Sequence, residues 1–131
     1  MTIDKLVKNF TPHTINIKTG DSTTVSIPPE IEPKQAPRLT LTESDRTTIR
    51  VCGGTITVLG GRKPTGVHPE LPPLTPGTVI IVPRAIAEYL ADREDLVWPD
   101  LLTRDAQGSV TGCEALGTLH PEVFDDNDEE E

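Results

Sequence analysis

Thr48-Ile49-Arg50-Val51-Cys52-Gly53-Gly54-Thr55-Ile56-Thr57-Val58-Leu59 is the stretch that decides the fold class. Polar and apolar residues alternate on both sides of a diglycine, which is the period-two pattern of strands with two unlike faces. Glycine reaches the positive φ values that a primed turn demands, so Gly53-Gly54 predicts a tight loop between antiparallel strands. Cys52 falls at the end of the first of these strands.

Moving toward the N-terminus, Arg38 to Thr42 alternates again before a turn at Glu43-Ser44-Asp45. Residues 28 to 37 hold four prolines and read as an extended, irregular connection. Before them, Thr14-Ile15-Asn16-Ile17-Lys18 and Thr23-Thr24-Val25-Ser26-Ile27 flank the turn Thr19-Gly20-Asp21-Ser22, a second hairpin. Moving toward the C-terminus, residues 60 to 76 are rich in Pro and Gly and read as an exposed connection. Thr78-Val79-Ile80-Ile81-Val82 is continuously apolar, as in a strand covered on both faces. Pro83 suits a first helical position. Ile86, Tyr89 and Leu90 follow at helical spacing, predicting a helix over about 83–93 that packs these three on the sheet. Leu96-Val97-Trp98 reads as a short strand ended by Pro99. A third hairpin runs from Leu101 to Arg104, through the turn Asp105-Ala106-Gln107-Gly108, to Ser109 to Cys113. The expectation is a mainly β (α+β) fold: a small antiparallel sheet, roll or sandwich built from hairpins, with one helix. Residues 1–122 form one domain, and 123–131 a disordered acidic tail.

Composition agrees with that reading. Phe10, Tyr89, Trp98 and Phe124 are the only aromatic residues, so the core must be Ile, Val and Leu, which suit strands. The net charge is −9, and residues 125–131 alone contribute −6, leaving −3 for the body. A run of like charges with nothing apolar to bury stays unfolded. An acidic body with scattered Lys and Arg offers no footprint for a nucleic-acid backbone. No apolar run suits a membrane span, and Met1-Thr2-Ile3-Asp4-Lys5 is no signal peptide, so the expected setting is cytoplasmic or virion. Cys52 and Cys113 belong to no C-x-x-C pair and read as buried, reduced thiols.

The residues that carry chemistry are dispersed. His13, His68 and His120 each adjoin a proline, and none is spaced with another ligand in a zinc pattern, so no metal or cofactor is expected. No G-x-S-x-G elbow marks an activated serine. Gly53-Gly54 and Gly60-Gly61 lack the following helix that a phosphate cradle needs. A catalytic set is therefore not expected. A speculative ligand set comprises His13, Arg62, Lys63, Arg84, Trp98 and Arg104, with the cations for phosphate and Trp98 for stacking.

Asn9-Phe10-Thr11-Pro12-His13-Thr14-Ile15-Asn16-Ile17 resembles the N-L-T-P-H-x-I-x-I opening of short uncharacterised proteins of phages, prophages and microbial genomes. Gly77 to Val82, Arg93-Glu94-Asp95-Leu96, and Arg104-Asp105-Ala106-Gln107-Gly108 through Gly112-Cys113 are similar to later parts of the same group. Phe10 stands where that pattern has Leu, and Pro83 where it has a small polar residue. The resemblance implies a viral or mobile-element setting and assigns no catalytic residue.

Together these readings predict a non-catalytic interaction protein, a viral (phage or archaeal virus) accessory or virion structural component whose partners are other protein subunits, including copies of itself. The alternative is a nucleotide-binding or sequestering protein. A small hydrolase using His13 is the third reading.

Overall fold

A computed structural model describes residues 5–124. Its elements run β1 (Leu6–Asn9), β2 (Ile15–Lys18), β3 (Thr24–Ile27), β4 (Arg38–Leu41), β5 (Arg46–Val51), β6 (Gly54–Leu59), β7 (Pro64–His68), β8 (Thr78–Ile81), α1 (Arg84–Tyr89), β9 (Leu96–Arg104) and β10 (Val110–Gly117). Short 3₁₀ turns occur at Pro33–Gln35 and Pro121–Phe124. The fold is mainly β, as the alternation and the lean aromatic content require.

Its centre is a six-stranded sheet in the order β1-β8-β9-β10-β2-β3. The sheet curls until its edges nearly meet: Asn9 at the end of β1 bridges to Pro29, just beyond β3. Of the expected sheet, roll or sandwich, the central sheet takes the rolled form, with pairings that are not all antiparallel. The β1–β8, β8–β9 and β10–β2 pairings are parallel. Hairpin signals are local and could reveal only the antiparallel partners. Two of the parallel pairs, β1–β8 and β10–β2, join segments far apart in sequence, and β1 gave no signal of its own.

Period-two alternation along β8 and β9 builds two cores. Val79, Ile81 and Val97 point into the barrel with Val7, Ile15, Ile27 and Leu116. Ile80, Val82, Leu96 and Trp98 point outward, where Ile86 and Ala87 of α1 cover them. This double coverage matches the continuous apolar run of β8. The helix is shorter than the spacing suggested, six residues rather than the span 83–93, with Pro83 as its N-cap and Leu90 as its C-cap. Ile86 and Leu90 pack as expected, but Tyr89 lies exposed, because the buried face of the helix runs through Ile86, Ala87 and Leu90 and leaves Tyr89 on its flank.

Pro99 does not end a strand. β9 runs on for nine residues, and Pro99 falls past Val97, the last residue paired to β8, where a missing N–H breaks no ladder on that side. The C-terminal boundary also shifts. Residues 121–124 form a 3₁₀ turn whose Phe124 packs against the inner core, so the body extends to 124. The expected acidic tail beyond it and the opening four residues lie outside the described residues.

The long excursion between β3 and β8 leaves the barrel. β4 and β7 form a two-stranded ribbon whose Leu39 and Val67 rest on the outer core. β7 occupies part of what the Pro- and Gly-rich sequence predicted to be loop: Pro64 opens it at a register shift opposite Leu41, where no N–H is required. β5 and β6 continue beyond the ribbon as a second, separate hairpin.

Candidate interaction surface

The β5–β6 hairpin is an arm. Each strand has six residues, and every residue of both is exposed. At about 3.3 Å per residue the arm reaches roughly 20 Å beyond its root. The root is fixed by a series of bonds. The Gly60 amide donates to the Asp45 carbonyl (2.8 Å) and the Thr42 amide to the Lys63 carbonyl (2.9 Å). The Lys63 amide donates to Thr42 Oγ1 (3.0 Å), and Arg62 Nε donates to the Thr42 carbonyl (2.8 Å). Arg62 and Lys63 are thus structural members of the arm's root.

At the tip the turn residues are Cys52 (φ 54°) and Gly53 (φ 81°), both left-handed, as in a type I′ turn. The expected Gly53-Gly54 loop is displaced by one residue: Gly54 is a strand residue paired with Val51. This register places Cys52 exposed at the tip rather than buried in a strand. Cys113 is buried as expected, and both thiols are free.

Register also sorts the arm's side chains. Ile49 opposes Ile56, Thr47 opposes Val58, and Val51 opposes Gly54, so Ile49, Val51, Ile56 and Val58 share one face. These four are 49%, 41%, 49% and 39% exposed, with no core cluster against them. The opposite face carries Arg46, Thr48, Arg50, Thr55 and Thr57, with Leu59 at the root. One face is apolar and the other basic, and within the described chain neither is covered.

Further exposed apolar residues lie on the β9–β10 ribbon. Leu101, Leu102 and Val110 are 63%, 46% and 52% exposed. Leu101 has φ 51°, a left-handed conformation that a bulky side chain disfavours. Leu102 and Val110 line a groove of about 340 Å³ together with His13, Ile15, Pro99 and Cys113. Burial pushes the Cys113 thiol above its ordinary pKa, so it is a poor source of thiolate. His13 is exposed, and its described hydrogen bonds are made by its backbone. Asp105 sits elsewhere, holding the Gln107 and Ser109 amides of the β9–β10 turn.

The role of the Asn9-Phe10-Thr11-Pro12-His13 motif is structural. Asn9 is fully buried, and its amide donates to the carbonyls of His13 (2.7 Å) and Ile27 (2.9 Å). Its Oδ1 accepts from the Thr11 amide (2.9 Å) and the Thr11 hydroxyl (2.7 Å). The Asn9 carbonyl accepts from the Glu30 amide (2.6 Å). These bonds clasp the β1 edge to the end of β3 and close the barrel. Sequence reasoning singled out His13 in this motif, whereas the neighbours Asn9 and Thr11 carry it.

The speculative ligand residues do not form one site. Only Arg84 and Trp98 meet, the guanidinium carbon 5.1 Å from the ring centroid. Arg84 Nε is also 2.9 Å from Glu88. Trp98 is buried, its Nε1 donates to Asp100 (3.3 Å), and Gly117 lies against its indole. Arg104 bonds the Gly108 carbonyl (3.0 Å) within its own turn. No group of three or more His, Cys, Asp and Glu residues able to hold a metal ion occurs among the described residues. No described helix is long and apolar enough to cross a membrane. Compared with known protein families, curated proteins and solved structures, the chain matches none.

Proposed function

We propose that this chain is a non-catalytic interaction protein that engages other protein subunits through its projecting arm, in the manner of a viral accessory or virion structural component. One observation carries this reading: a two-stranded hairpin with four large apolar residues on one face and, among the described residues, no core cluster against them. A lone two-stranded hairpin in water is marginally stable, and a contiguous exposed apolar face marks a contact surface. The basic opposite face favours acidic surroundings for the docked arm.

The test is to shorten the arm in its native genomic setting. Residues 46–59 are replaced by an Asn-Gly turn between Asp45 and Gly60, which are already hydrogen-bonded across the root. The shortened chain is expected to fold and accumulate but to be missing from the assembled particle or complex. Undiminished incorporation of the shortened chain overturns the reading.

A further inference from the structure

We propose that the partner of the arm is the β9–β10 end of a second copy of this chain, in a head-to-tail contact. This rests on the reading of the arm as a docking element and commits it to one occupant. The first argument is charge. Residues 38–68 contain five basic and two acidic residues, a net +3, whereas the rest of the chain carries −12. Residues 46–59, the arm itself, carry only Arg46 and Arg50, so an arm laid on another arm sets +2 against +2, whereas laid on the described body outside residues 38–68 it sets +2 against −5. Like-charge juxtaposition suppresses the first pairing and steers the second.

The second argument is the surface that receives it. Among the described residues Leu101 is the most exposed large apolar residue, and it is held at φ 51°. Asn, Asp or Gly would occupy that conformation more readily. A strained backbone presenting an exposed leucine is a cost to the lone chain, and such strain persists where a site uses it. On the same ribbon Leu102 and Val110 are also exposed and line a groove. From Asp100 to Glu114 the acidic residues outnumber Arg104 by three to one, which suits Arg46 and Arg50 of an incoming arm. The two surfaces differ, so the contact is heterologous: it leaves one arm and one receptor end free in every dimer and continues into rings or filaments.

Mixing two crippled chains tests this with light scattering on size-separated, full-length protein. Ile49→Asp/Ile56→Asp removes the arm face, and Leu102→Asp/Val110→Asp removes the receptor. All four positions are exposed, so the barrel's melting transition checks that each variant remains folded. The native chain is expected to grow in mass with concentration, each variant alone to stay monomeric, and the mixture to stop at a one-to-one dimer. Leu101→Asn supplies an independent measurement: the melting temperature stays level or rises while association weakens at least about tenfold.

A native chain that stays monomeric at millimolar concentration overturns the proposal, and so does a receptor variant that still dimerises through its arms. Either result leaves the arm's docking role to the incorporation experiment, which reads it separately.

Discussion

Replacing Asn9 by Ala removes the clasp that closes the barrel, and the structure sets the size of the effect. The side chain has no solvent exposure and makes four hydrogen bonds, two as donor and two as acceptor. A buried bond contributes about 1 kcal/mol net, and an orphaned partner costs about 1–3 kcal/mol. With Asn9 Oδ1 gone, the single Thr11 hydroxyl proton is free to turn to the His13 carbonyl (3.0 Å), so that acceptor remains satisfied. Thr11 N and the Ile27 carbonyl lose the bonds they make to Asn9, which places the loss at about 2–4 kcal/mol. In a chain of this size a 3 kcal/mol loss lowers the melting midpoint by about 10–15 °C.

Asn9→Asp sharpens the argument. It retains the acceptor for Thr11 but turns an anionic oxygen toward the His13 and Ile27 carbonyls. It should be less stable than Asn9→Ala at neutral pH and should recover on acidification, when a protonated carboxyl can donate again. Thermal and urea unfolding followed by circular dichroism measure both variants. A midpoint for Asn9→Ala within about 3 °C of the native value refutes the clasp.

Gly117→Ala drives a Cβ into the Trp98 indole and should cost about 1–3 kcal/mol in urea unfolding; an unchanged midpoint would show that the indole has room to move. A maleimide should label one thiol per folded chain, Cys52, and the second only in denaturant, with mass spectrometry locating the adducts; native labelling of Cys113 contradicts its burial. His120 Nε2 donates to the Ala91 carbonyl (2.5 Å), which, with Glu122 and Glu94 nearby, raises its pKa above 6.5. A raised histidine stabilises fully below its unfolded pKa and loses that contribution as pH rises through the folded value. The melting-temperature gap between the native chain and His120→Gln should therefore narrow from pH ~5 to ~8, and a gap independent of pH refutes the contact.

What was legible in the sequence was the information held by neighbours in the chain. Alternation at Ile15/Ile17, Val25/Ile27, Ile49/Val51 and Ile56/Val58 marked strands, and the run Val79–Val82 marked the doubly covered one. The Gly-containing turns marked hairpins, to within one residue at Cys52. The parallel pairings of β1 with β8 and of β10 with β2 were not legible, because a parallel ladder leaves no turn between its strands. Nor was the arm's isolation. Ile49 and Ile56 carry the same pattern whether their face meets a core or water, and only tertiary structure distinguishes the two. The weight of the Asn-Phe-Thr-Pro-His motif was misplaced for a related reason. Histidine draws attention as chemistry, whereas a buried asparagine with all its bonds satisfied is ordinary in sequence and decisive in the fold.

On the proposed reading, the two halves of the molecule divide stability from contact. The barrel has its own double core and its own clasp, and it draws nothing from β5 and β6, whose side chains pack in neither core cluster. The arm in turn depends on the barrel only through the β4–β7 ribbon, whose Leu39 and Val67 pack on the outer core. That ribbon supplies what a free hairpin lacks, a fixed register at the root, so the strands meet as Ile49–Ile56 and all the apolar residues emerge on one face. A slip of one residue would mix the faces and place Arg50 among them. The I′ turn at Cys52-Gly53 fixes the same register from the tip. A hairpin pinned at both ends presents its apolar face already ordered, so docking forfeits little conformational entropy. That is the property a repeating assembly needs in each of its contacts.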